Sequence, residues 1–230
     1  MHTSLDATRF QQAVTGMAPL DTLEICNFRE APVDAPWAIS EQGILTACIQ
    51  KRKNNATLYL NGMQTREELS GEALTWRSME CIDSYWVQMP AGILRERQMV
   101  FHEACKAWCV GVGGSIYTLA EDGCIKRNSV AIGSDAAADR IEVLMDDTLL
   151  LSAEGRGIYP FGGDKIIDIN SDEEWNVAGN NIVIRIGKRF CDAKEKLLLN
   201  AADIEFDSWD AMSRGIVLGN RGVYTLHAVW

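Results

Sequence analysis

From Thr22 onward, short apolar runs such as Thr22-Leu23-Glu24-Ile25-Cys26 alternate with clusters of Asp, Asn, Gly and Pro. That spacing predicts strands and tight turns. Before Pro19, Phe10, Ala13, Val14 and Met17 recur at helical spacing, with Ser4 placed to cap the start and Gly16 to stop the end. One short helix within residues 1–20 is predicted, followed by strand hairpins over 21–230.

One pattern repeats in the strand region: an apolar run, a small polar turn with glycine, then a β-branched residue or leucine and often tyrosine. It is clearest at Trp108–Tyr117, Leu149–Tyr159 and Gly215–Tyr224, and weaker at Trp37–Leu45, Trp86–Leu94 and Ile182–Phe190. Each copy has the form of a hairpin, because glycine supplies the positive φ that tight turns require. The copies are unevenly spaced but average about the length of a four-stranded blade. The expected fold is therefore all-β with a short N-terminal helix, a small β-propeller of five or six irregular blades, in one domain spanning residues 1–230. Val223–Trp230 is expected to lie in a last sheet that Thr22–Phe28 completes, which removes an exposed edge.

The segment Val110–Gly123 resembles the inner hairpin of sialidase-repeat and kelch-like propeller blades. Thr118, Asp122 and Gly123 stand where such repeats place a hydroxyl, an acid and a glycine, but Cys124-Ile125-Lys126 lacks the tryptophan. The resemblance implies the fold and brings no catalytic residue with it.

Composition narrows the functional classes. The net charge of −10 repels phosphate backbones and anionic membranes and attracts cationic partners. No apolar run approaches the roughly 20 residues of a membrane span. Residues 1–17 carry Asp6 and Arg9 where a secretory signal needs an apolar stretch, so a cytoplasmic location is expected. The seven scattered cysteines read as reduced core residues.

Candidate chemistry is sparse. His102, Cys105 and Cys109 would share a face if helical, but no second pair supplies a fourth ligand, so no metal is assigned. Only three histidines occur, and there is no Gly-x-Ser-x-Gly elbow and no Gly-Lys-Ser/Thr phosphate loop. No catalytic residue and no cofactor are assigned. The acidic pairs at Asp146-Asp147, Asp172–Glu174 and Asp203–Asp210 leave a glycan- or small-molecule-directed propeller enzyme as one alternative and an assembly scaffold as another. Basic residues at Lys51-Arg52-Lys53, and later Arg185, Lys188, Arg189, Lys194 and Lys196, read as edge protection.

The remaining feature is acid beside aromatic. Trp76, Trp86, Trp175 and Trp209 adjoin acidic or turn segments, and aromatic anchors inside charged rims are what tight interfaces use. The expected partner-binding patch combines Asp172, Glu173, Glu174 and Trp175 with Glu205, Asp207, Trp209 and Asp210. The expected function is a non-enzymatic protein-binding module, an intracellular inhibitor or immunity protein that neutralises a basic effector such as a nuclease toxin. The likeness to immunity proteins is one of general character only. Neither nucleic acid nor membrane is an expected partner.

Overall fold

The computed structural model describes residues 7–28, 37–40, 43–50, 55–70, 75–78, 85–96 and 98–230. Ser4 and the basic run Lys51-Arg52-Lys53 lie outside them. Helix α1 (Ala7–Gly16) ends at the glycine expected to stop it. Phe10 and Val14, one turn apart, are its buried face and join a core with Ile25, Phe28, Ile39, Ile44, Val217 and Leu226.

Among the described residues, apart from α1 and a single turn of 3-10 helix, the regular structure is all β, arranged as six sheets: the fold is a six-bladed β-propeller. Strand β1 (Thr22–Asn27) stands apart in sequence from its sheet. The next two sheets are β2 (Trp37–Ser40), β3 (Gly43–Gln50), β4 (Asn55–Leu60) and β5 (Met63–Ser70), then β6 (Thr75–Ser78), β7 (Tyr85–Met89), β8 (Gly92–Arg95) and β9 (Gln98–Phe101). There follow β10 (Ala107–Val110), β11 (Ile116–Leu119), β12 (Cys124–Arg127) and β13 (Val130–Ser134), then the three-stranded sheet β14 (Arg140–Val143), β15 (Leu149–Ala153) and β16 (Gly157–Pro160). The last two are β17 (Glu173–Ala178), β18 (Asn181–Ile186), β19 (Arg189–Asp192) and β20 (Leu197–Asn200), and β21 (Ser208–Met212), β22 (Gly215–Asn220) and β23 (Val223–Ala228) with β1.

β1 pairs antiparallel with β23, Thr22 opposite His227 and Asn27 opposite Val223, so the early strand does complete the final sheet. Two compact units are present: Met1–His102 with Ile204–Trp230, and Glu103–Asp203. In the first, the leading strand β2 lies beside β6 and β21; in the second, β14 lies beside β10 and β17. Among the described residues no helix is long and apolar enough to cross a membrane.

The sheet β14–β16 lacks an outer strand. In its place residues 161–172 follow Pro160, and an isolated bridge joins Ile167 to the edge, its carbonyl accepting from the Ile158 amide at 2.8 Å while the Ile166 amide donates to the Ile158 carbonyl at 2.8 Å. Gly157 makes that approach feasible: its φ is +73°, and a Cβ there would stand 2.1 Å from the Ile167 carbonyl oxygen. Gly92 holds the same position in its own sheet, at the start of a third strand, with the Phe101 carbonyl 2.0 Å from where a Cβ would be. Ile167 is thus what remains of the fourth strand.

Candidate functional site

In the second unit, the seam between the sheets β10–β13 and β14–β16 is fastened twice by the same three side-chain types. Tyr117 Oη donates to Asp147 Oδ1 at 3.0 Å while Arg127 donates to Asp147 Oδ2 at 2.8 Å and lies 5.3 Å from the Tyr117 ring. Tyr159 Oη donates to Asp135 Oδ2 at 3.0 Å while Arg156 donates to the same oxygen at 3.1 Å and lies 4.2 Å from the Tyr159 ring. Burial and the adjacent carboxylate push both phenols up to about 12. The tyrosines that end two of the clearest repeats are therefore fasteners between sheets.

Beside the three-stranded sheet, the start of β14, the β15–β16 turn and the start of β17 line an open groove of about 760 Å³. Residues 169–171, freed from strand pairing, form part of its wall. Its floor is rigid. Trp175 is buried and donates from Nε1 to Ser152 Oγ at 3.1 Å, and Ser152 Oγ donates to Asp139 Oδ1 at 2.9 Å. Arg140 lies 4.9 Å from the Trp175 ring and donates from Nε and Nη2 to Glu142 Oε1 at 3.2 and 2.8 Å. Glu142 is buried at 4% exposure, so this cation is held inward by a buried carboxylate.

The rim is acidic. Glu173 accepts from the Asn170 amide at 2.8 Å and from its side-chain nitrogen at 3.0 Å, and Glu174 pairs with Arg185 at 2.8 Å. Glu154 at the β15–β16 turn is exposed and has no side-chain bond among the described residues, and Asp139, exposed just before β14, lines the same groove. Residues 103–203 carry 17 carboxylates against 11 lysines and arginines.

The expected patch divides between the two units. Glu173, Glu174 and Trp175 line the groove, with exposed Asp172 just before them. Trp175 serves as its floor rather than as a projecting anchor, because its indole N–H is consumed by Ser152. In the first unit Glu205 is exposed, and Asp207 accepts from Ser208 Oγ at 2.9 Å and from the Arg221 amide at 3.0 Å, bracing the β22–β23 turn. Trp209 and Asp210 are half-buried in β21, where the Asp210 carboxylate accepts from the Ala211 amide at 2.8 Å. Trp86 is fully buried in β7, and the side chain of Trp76 lies outside the described residues. Asp139, Arg140, Ser152 and Glu154 were not singled out by sequence. They come to the groove through strand order, and the one signal for it is the broken repeat after Tyr159.

The other candidates have structural occupations. Asp146 accepts from the Thr148 amide at 3.0 Å, which holds its carboxyl below the usual range, and Asp147 belongs to the tyrosine fastener. Lys106 through Cys109 run from a loop into β10 rather than a helix; Cys109 is buried, and burial pushes the Cys105 thiol up to about 11. Among the described residues no three His, Cys, Asp or Glu side chains are grouped to hold a metal ion.

No protein-family model matches the chain, and no curated protein does. Neither sialidase nor kelch repeats, nor an immunity family, therefore finds support at the level of sequence. Among solved structures, the chain is similar to a Thermus thermophilus protein provisionally assigned as an oxidoreductase (glucose dehydrogenase), with TM-score 0.52, 14% identity, and coverage of 90% of this chain and 99% of that one. It is also similar to BamB from Moraxella catarrhalis, with TM-score 0.43, 10% identity and coverage of 92% and 89%. Hsv2 from Kluyveromyces marxianus gives TM-score 0.42, 9% identity and coverage of 76% and 64%. At such identities the likeness is one of fold alone: this chain is a β-propeller with propeller neighbours.

Proposed function

We propose that this chain is a non-enzymatic protein-binding module whose partner is a cationic protein, and that the acidic groove of the second unit is its docking site. The observation that carries the reading is an open groove of about 760 Å³ whose rim carries Asp139, Glu154, Glu173 and Glu174. The cation at its floor, Arg140, is tied to Glu142 and Trp175 and so leaves that rim negative. Fields of this sign accelerate capture of a basic partner and disfavour nucleic acid and anionic membranes. A propeller suits such a role, since its blades give a rigid base for loops and turns. An inhibitor or immunity protein that covers a basic effector, such as a nuclease toxin inside the producing cell, is the form of the role that best fits the charge.

The reading is tested by calorimetric titration of basic proteins encoded beside this gene, an inactivated nuclease domain first among them, at two salt concentrations. Binding that weakens with salt and with Glu173→Lys and Glu174→Lys supports it. Absence of binding to every such protein, or turnover of a glycan by the purified chain, overturns it.

A further inference from the structure

We propose that the groove accepts a lysine or arginine side chain from an extended basic segment, with Glu154 as the residue that selects it; this rests on the protein-binding reading above. The size of the groove argues for a segment rather than a domain face. About 760 Å³ lies within the roughly 300–1,000 Å³ of sites that enclose small ligands, which is room for a few residues.

The pairing of charges argues for the cation. Each guanidinium near the groove is already engaged: Arg140 by Glu142, Arg156 by Asp135, and Arg185 by Glu174. Glu173 is engaged by Asn170. Glu154 has no such engagement among the described residues and is exposed on a turn of the groove that exposed Asp139 also lines, one of whose oxygens is taken up by Ser152. A cationic side chain entering here meets groove carboxylates that no guanidinium has taken up, whereas an anionic one meets like charge at the rim and an Arg140 already paired with Glu142. The bonds linking Trp175, Ser152 and Asp139 hold the floor in place beforehand, so little side-chain freedom has to be lost on binding.

The test uses the full chain, isotopically labelled, with three blocked tetrapeptides as probes: one bearing two arginines, one bearing two glutamates and one neutral. The expected result is saturable shifts at the Trp175 indole N–H and the Gly155 amide with the arginine peptide alone. Affinity should fall about three- to fivefold in Glu154→Gln, as loss of a solvent-exposed ion pair allows. It should be unchanged in Asp146→Asn, a turn carboxylate that does not line the groove. Absence of shifts, shifts with the glutamate peptide, or equal affinity in Glu154→Gln overturns the inference. If the arginine peptide is silent while a basic protein still binds, this inference fails and the protein-binding reading stands; if neither binds, both fail.

Discussion

The pair Arg140–Glu142 decides whether the groove's floor cation is a structural element or a free recognition group. The Glu142 side chain is 5% exposed and that of Arg140 is 32% exposed, so the two substitutions should cost unequal amounts. Arg140→Met strands a buried carboxylate, a loss of about 3–5 kcal/mol when the site is fully enclosed. The partial exposure of Arg140 lets water reach the vacated side, which brings the expected cost to about 2–3 kcal/mol. Glu142→Met leaves a guanidinium that can swing into the groove, at about 1 kcal/mol, and the double variant Arg140→Met/Glu142→Met buries no charge and should also cost about 1 kcal/mol. The cycle then closes with a coupling of about 2–3 kcal/mol. Urea denaturation at neutral pH, followed by indole fluorescence, reads all four proteins. Additive single costs, or an Arg140→Met variant no weaker than Glu142→Met, would refute the reasoning.

Gly157→Ala must place a Cβ 2.1 Å from the Ile167 carbonyl at a φ of +73°, and should cost about 2–4 kcal/mol in thermal or urea unfolding; Gly155→Ala, with open space around it, should cost clearly less. Tyr159→Phe removes one donor from Asp135 but leaves Arg156 in place, so about 1 kcal/mol should be lost, with a similar loss for Tyr117→Phe at the matching triad. His227 is held below its ordinary value of 6.5 by burial, between Thr22 Oγ1 at 3.2 Å and Thr225 Oγ1 at 3.0 Å. The unfolded chain therefore binds the proton first as pH falls. The His227 contribution to stability is complete above about pH 6.5 and is lost as pH drops below that value, a slope that His227→Gln should flatten in pH-dependent unfolding.

The periodic part of the fold was legible. Each of the six sheets contains one of the six hairpins read from the sequence: β2–β3, β7–β8, β10–β11, β15–β16, β18–β19 and β22–β23. Their spacing looked uneven because two of them join first and second strands, whereas four join second and third strands. Gly157 illustrates why the pattern is visible at all, since a backbone carbonyl packs where its side chain would be. The junction of β1 with β23 was also legible: Thr22–Phe28 was expected to complete the last sheet, and Thr22 to Asn27 pair with His227 to Val223. Asparagine carried a signal that was not read. Asn61 and Asn128, both at positive φ, each accept from the first buried isoleucine of a second strand, Ile44 at 2.8 Å and Ile116 at 2.9 Å, and mark equivalent turns in two sheets.

The groove was legible only in part. Glu173, Glu174 and Trp175 stood out as acid beside aromatic, but Trp175 turned inward because Ser152 offered its indole a partner. Asp139 and Glu154 are separated from them by 34 and 20 residues respectively when counted to Glu173 and Glu174, and only the missing outer strand of β14–β16 brings the three segments to one opening. Pro160, which cannot donate to a further strand, is the local reason for that gap.

The central claim is that a basic protein docks at this groove through charge. Its most direct measurement is the dissociation constant of an inactivated basic nuclease domain encoded beside this gene, taken from low to physiological salt for the native chain and for Glu154→Lys/Glu173→Lys/Glu174→Lys. The native chain should bind with an affinity that falls steeply with salt, and the triple variant should bind at least tenfold more weakly with a flatter dependence while unfolding at nearly the same urea concentration. Equal affinity and equal salt dependence in the two proteins would contradict the claim.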